Sequence, residues 1–115
     1  MHRDYRLYLD DILEAIARIQ EYVQGIDEDA FGSDKKTQDA VIRNLEVIGE
    51  ASRNLSDDMK AQVDEIEWPK IIGLRNVLAH EYFGVSIPIV WDIIQNKLHP
   101  LREACTKLLK QLDNA

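Results

Sequence analysis

From Ile87 to Leu112 the residues Ile87, Trp91, Ile94, Leu98, Leu101, Cys105, Leu108 and Leu112 recur in alternating steps of four and three without a break. Steps of that size return to one side of an α-helix but alternate between the faces of a strand, so this stretch folds as a helix with one buried stripe. The register passes straight through His99-Pro100. Proline inside a helix withdraws a backbone donor and crowds the preceding turn, so the pattern predicts one long helix kinked near Pro100, or two helices continuing one stripe.

The same test applied from the start of the chain predicts further helices. Tyr5, Tyr8, Ile12, Ala15, Ile16, Ile19, Tyr22 and Val23 set a first helix over Asp4–Gln24, with Gly25 placed to end it in a left-handed cap. A connector over 26–33, with a short turn at Asp27–Phe31, leads to a second long helix. Ser33 or Asp34 caps it, and Val41, Leu45, Ile48, Ser52 and Leu55 line its buried side. Gly49 stands inside this helix at a cost of about 1 kcal/mol relative to alanine, which suits close approach of another helix. Arg43, Glu46, Glu50 and Arg53 are spaced to form a ladder of ion pairs on its solvated side.

Ser56 caps a short acidic helix from Asp57 to about Glu65, and Trp68-Pro69 opens the next, with Ile71, Leu74 and Leu78 on its buried stripe and a stop near Phe83-Gly84. Ser86 caps the last helical stretch, with Pro88 in its first turn. No strand pattern, internal repeat or low-complexity segment interrupts this order. The expected fold is all-α: an antiparallel four-helix bundle with an additional short helix, as a single domain over residues 1–115.

Composition narrows the chemistry. A length of 115 residues leaves room for one core, and 45% hydrophobic content is that of an ordinary globule. Neither a membrane-length apolar run nor a signal-peptide pattern is present, so the expected location is cytoplasmic. Three scattered His and one Cys carry no metal-ligand spacing, the five Gly form no phosphate loop, and no metal or cofactor is expected. Cys105 is expected to be a reduced core thiol. The formal net charge of −7 argues against a broad nonspecific nucleic-acid surface, though not against a local basic groove.

The polar residues that remain gather in Gly73-Leu74-Arg75-Asn76-Val77-Leu78-Ala79-His80-Glu81-Tyr82. At 100° per residue Arg75 and His80 project about 140° apart and Tyr82 returns to within about 20° of Arg75. Arg75 and His80 therefore make no simple contact along the helix, but they can converge on a substrate held in a groove, and a second copy of the helix is one way to form that groove. Asn76, four residues before His80, shares its side. In isolation, a histidine near a helix end is more often a capping or surface residue, and an arginine more often a solvated charge.

Arg75, four intervening residues, His80, one residue and Tyr82 match the R-x4-H-x-Y motif, and the chain resembles the HepT-like toxins of the HEPN group of helical domains. The resemblance extends to Arg3-Asp4-Tyr5-Arg6-Leu7-Tyr8-Leu9, to Thr37 through Glu46, to Gly49-Glu50-Ala51, to Gly73 through Gly84 and to Val90-Trp91-Asp92-Ile93. It implies a metal-independent endoribonuclease, the toxin of a prokaryotic toxin–antitoxin pair, acting on RNA as a homodimer. Arg75 and His80 are then the implied catalytic residues, with Asn76 in support. Tyr82 is implied to receive AMP from a minimal nucleotidyltransferase antitoxin, which silences the toxin. The alternative is a noncatalytic helical module that binds nucleotide or docks a nucleotidyltransferase, with Arg75 and His80 as binding residues.

Overall fold

The computed structural model describes residues 4–80 and 86–114, for residues 75–80 the backbone alone. Among the described residues seven α-helices follow one another: α1 (Tyr5–Tyr22), α2 (Glu28–Gly32), α3 (Lys35–Arg53), α4 (Asp57–Ala61), α5 (Trp68–His80), α6 (Ile87–Asp92) and α7 (Leu98–Asp113), with a π-helical turn, Ile93–Lys97, joining the last two. Among the described residues there is no strand. The all-α expectation holds, and α1, α3, α5 and α7 are the long packed helices, α3 lying against both α1 and α5, and α1 against α7.

Short polar side chains start most of these helices by accepting amide hydrogen bonds that the first turn leaves unpaired. Asp4 accepts from the N–H of Arg6 at 2.9 Å, Asp27 from that of Ala30 at 2.8 Å, and Ser56 from that of Met59 at 3.2 Å. Of the two candidates before α3, the cap is Asp34, which accepts from the Thr37 N–H at 3.1 Å and from its hydroxyl at 2.6 Å. These bonds hold its carboxyl below the ordinary range, the Thr37 hydroxyl contributing most. Ser86 caps α6 as expected, with Pro88 in the first turn.

The ends run shorter than the periodicity suggested. α1 stops at Tyr22, and Gly25 takes φ 77° in the turn beyond it rather than next to the last helical residue. The connector's turn is a full short helix, α2, which buries Phe31 against the tilted ring of Trp91 at 5.4 Å. α4 ends at Ala61 because turns take over before Val63 and Ile66, which reach the core without helical register. The predicted stop near Phe83-Gly84 lies outside the described residues.

Two contacts orient the bundle. Arg6 Nε donates to Asp113 Oδ1 at 3.0 Å and Arg6 Nη2 to the Leu112 carbonyl at 3.1 Å, so the start of α1 meets the end of α7. Along α1 and α3 the numbering also runs in opposite senses: Tyr8 shares a cleft with Asn54, Arg18 one with Asn44. Between the helices Leu9, Ile12, Ile16 and Ile19 meet Val41, Leu45 and Ile48, and Leu98, Leu101, Cys105 and Leu108 close the core, all at most 1% exposed. Each such side chain contributes roughly 1.5–3 kcal/mol over its exposed state. Tyr5 and Tyr22, counted on the α1 stripe, sit at the rim at 39% and 40% exposure. Of the ladder on α3, Arg43 and Glu46 approach to 4.0 Å.

The irregularity expected at Pro100 is built as the π turn just ahead of it. Pro100 offers no N–H to the carbonyl of Asn96, and the helix widens over Ile93–Lys97, with Lys97 at φ −110°. The stripe survives: Ile94, Leu98 and Leu101 are all buried.

Candidate functional site

α5 carries the polar cluster, and its first turns are set by the core. Trp68 is 6% exposed, and its indole N–H donates to the carbonyls of Lys60 and Val63 at 3.2 and 3.3 Å. Ile71 is buried one turn later. An indole that is both packed and hydrogen-bonded fixes helix position and rotation, because a slide along the axis breaks the bonds and a turn about it exposes the ring. α5 also lies along α3, whose Ile48, Gly49 and Ser52 are buried.

Arg75, Asn76 and His80 all fall in the last two turns of this anchored helix. The three predicted residues thus share one helix. Tyr82 lies outside the described residues. An arginine can bind phosphate with two parallel hydrogen bonds and an imidazole can transfer a proton, so an Arg and a His carried on one helix are residue types suited to phosphoryl chemistry. Among the described residues no cluster of His, Cys, Asp and Glu is placed to hold a metal ion. None of the described helices is long and apolar enough to cross a membrane. Cys105 is buried, and its burial pushes the thiol up to about 12, which leaves it protonated and inert at neutral pH.

Beside α5 runs a groove of about 270 Å³ that the sequence reading did not find. The segment before α5 and its first half, from Glu65 to Leu74, form one side. The π turn forms the other through Ile93, Asn96 and Lys97, with Pro100 beyond. At the rim Lys70 Nζ lies 2.8 Å from Glu67 Oε2. That bond holds the Glu67 carboxyl low, with a smaller contribution from Lys97, and holds the Lys70 ammonium high. The signal for the groove was Pro100, read only as a kink. A helical register does not reveal that a widened turn will face the start of another helix.

The family model described as Ribonuclease HepT-like matches residues 12–108. The "Probable ribonuclease HepT" of Thermococcus cleftensis is 43% identical over 110 residues, which is 96% of this chain and 100% of that protein. A "Putative RNase" of Methanocaldococcus jannaschii is 40% identical over 111 residues, 96% of this chain and 92% of that one. A longer protein of the same organism, "Gamma-glutamylcyclotransferase and putative RNase", is 37% identical over 113 residues; the match covers 98% of this chain but 51% of that protein. No solved structure matches the chain. A family match over most of the length, and relatives aligned nearly end to end, make this all-α chain a member of the HepT-like ribonuclease family.

Proposed function

We propose that the chain is a metal-independent endoribonuclease and the toxin of a toxin–antitoxin pair, with Arg75 and His80 as its catalytic residues. The observation that carries this reading is the presence of Arg75, Asn76 and His80 together in the last two turns of α5, a helix anchored by Trp68, in a chain of a ribonuclease family. Cleavage proceeds by attack of the ribose 2′-oxygen on the adjacent phosphorus and expulsion of the 5′-oxygen. The products are a 2′,3′-cyclic phosphate and a 5′-hydroxyl. A base must accept the 2′-OH proton, a cation must offset charge on the phosphoryl oxygens, and an acid must protonate the leaving oxygen.

Arg75 supplies the cation and His80 one of the two proton-transfer groups. A twofold homodimer supplies the second imidazole, and Asn76 orients His80 or contacts phosphate. Tyr82 receives AMP from a nucleotidyltransferase antitoxin, its hydroxyl oxygen displacing pyrophosphate from ATP. The adduct sets bulk and negative charge beside Arg75, where the substrate phosphate binds.

The test is RNA cleavage by the purified chain in the presence of EDTA, beside Arg75→Ala and His80→Ala. The expected result is full activity in EDTA, cyclic-phosphate ends, and a loss of about 10²–10⁴-fold for His80→Ala with the helical fold retained. Co-expression with the transferase adds AMP to the intact mass, and Tyr82→Phe prevents it. The net charge of −7 favours a second reading, a noncatalytic module that docks a nucleotidyltransferase. Folded, unmodified protein that binds the transferase and leaves RNA intact would establish that reading and overturn the first.

A further inference from the structure

The groove beside α5 is adjacent to the proposed cleavage residues but distinct from them. Leu74, which lines it, immediately precedes Arg75 in the chain, so the groove ends at the turn of α5 where the backbone of the proposed cleavage residues begins. Each side contributes apolar surface, Ile66, Ile71 and Leu74 opposite Ile93 and Pro100, with Glu65, Glu67 and Lys70 among them on the α5 side, and a volume of about 270 Å³ suits one flat heterocycle rather than a helix. Apolar side chains can sandwich an unstacked base as aromatic ones do.

Two polar groups of the π turn give the slot direction. Asn96 Nδ2 donates to Asp92 Oδ1 at 2.6 Å, which leaves Asn96 Oδ1 as an acceptor. Among the described residues Lys97 forms no ion pair within 4 Å and acts on Glu67 only at longer range, whereas Lys70 is held by Glu67. An accepting carbonyl favours a base edge that bears an amino group, and a lysine at the rim favours a phosphate. We propose that this groove is a base subsite of the RNA substrate, taking a base that bears an exocyclic amine (adenine, cytosine or guanine, not uracil) between α5 and the π turn, with the neighbouring phosphate on Lys97 and the amine on Asn96 Oδ1. The proposal rests on the ribonuclease reading for its substrate, but its test does not.

The probes are single-stranded hexamers of deoxyadenylate, deoxycytidylate and thymidylate, which lack the 2′-OH and cannot be cleaved by the proposed route. Binding is followed by fluorescence anisotropy across a salt series and by amide shifts over residues 93–97. The adenylate and cytidylate hexamers are expected to bind about fivefold more tightly than thymidylate, as one net hydrogen bond allows. Asn96→Leu should erase that preference. Lys97→Ala should lower the slope of log affinity against log salt by about 0.7 for all three. Equal binding of the three, an unchanged slope in Lys97→Ala, or shifts confined to other helices would overturn the subsite, and a groove that holds a protein side chain gives that pattern. Base preference in a chain that cleaves no RNA would keep the subsite and remove the nuclease. Cleavage without base preference would do the reverse.

Discussion

Ser52 is the buried polar group on which the packing of α3 can be tested most sharply. Its hydroxyl is fully buried, and it has no hydrogen-bond partner among the described residues. A buried hydroxyl left unpaired costs about 1–3 kcal/mol, and alanine is also the better helix former by a few tenths. Against these gains stand the dispersion contacts of a single oxygen, worth a few tenths together. Ser52→Ala is therefore expected to stabilise the fold by about 1.5 kcal/mol, against the usual direction of a core truncation. At about 2.1 cal/mol/K of unfolding entropy per residue, that gain raises the midpoint of a chain this size by roughly 6 °C. Urea unfolding followed by far-UV dichroism, with unchanged m and a higher midpoint, is the check. A loss of 1 kcal/mol or more would refute the reasoning. It would mean that the hydroxyl is bonded, either to the Ile48 carbonyl one turn back or to a side chain of α5.

The remaining expectations concern backbone, thiol and acid stability. Gly73→Ala should stabilise the chain by about 1 kcal/mol in thermal melts, because a Cβ there meets nothing within 4 Å. Gly25→Ala should cost about 1–2 kcal/mol in the same assay, because Gly25 holds φ 77°. Cys105 should resist a thiol reagent at pH 8 in the folded chain and react fully in denaturant, since its thiol is pushed up to about 12. The Asp34 carboxyl is lowered in the fold, so its contribution is complete above the ordinary carboxylate range and is lost as pH falls through the lowered value. In acid melts Asp34→Asn should therefore lose less stability than the parent chain below roughly pH 4.

Helix order and most of the core followed from spacing alone, because a stripe in steps of three and four has one way to be buried. Ser56 and Ser86 cap where they were expected, and Asp4, read as the first helical residue, proves to be the cap of α1. Helix ends were less well determined: Val63 and Ile66 stay buried after α4 has ended, so apolar spacing there reported burial and not helix. Arg75, His80 and Tyr82 were recognised as a motif, and the place of Arg75, Asn76 and His80 on one helix was readable from the register. The indole bonds of Trp68 that hold that helix were not, since their acceptors are carbonyls and leave no trace in residue type.

By itself, then, the sequence determined an all-α bundle and its family, since both depend on periodicity and on residue identity along the chain. Tertiary structure decided which residues meet across it. It turned the strain at Pro100 into a π turn and set Asn96 and Lys97 opposite Ile71 and Leu74. The side of a widened helix that faces a neighbour depends on how two distant segments cross, and local pattern carries no information about that crossing.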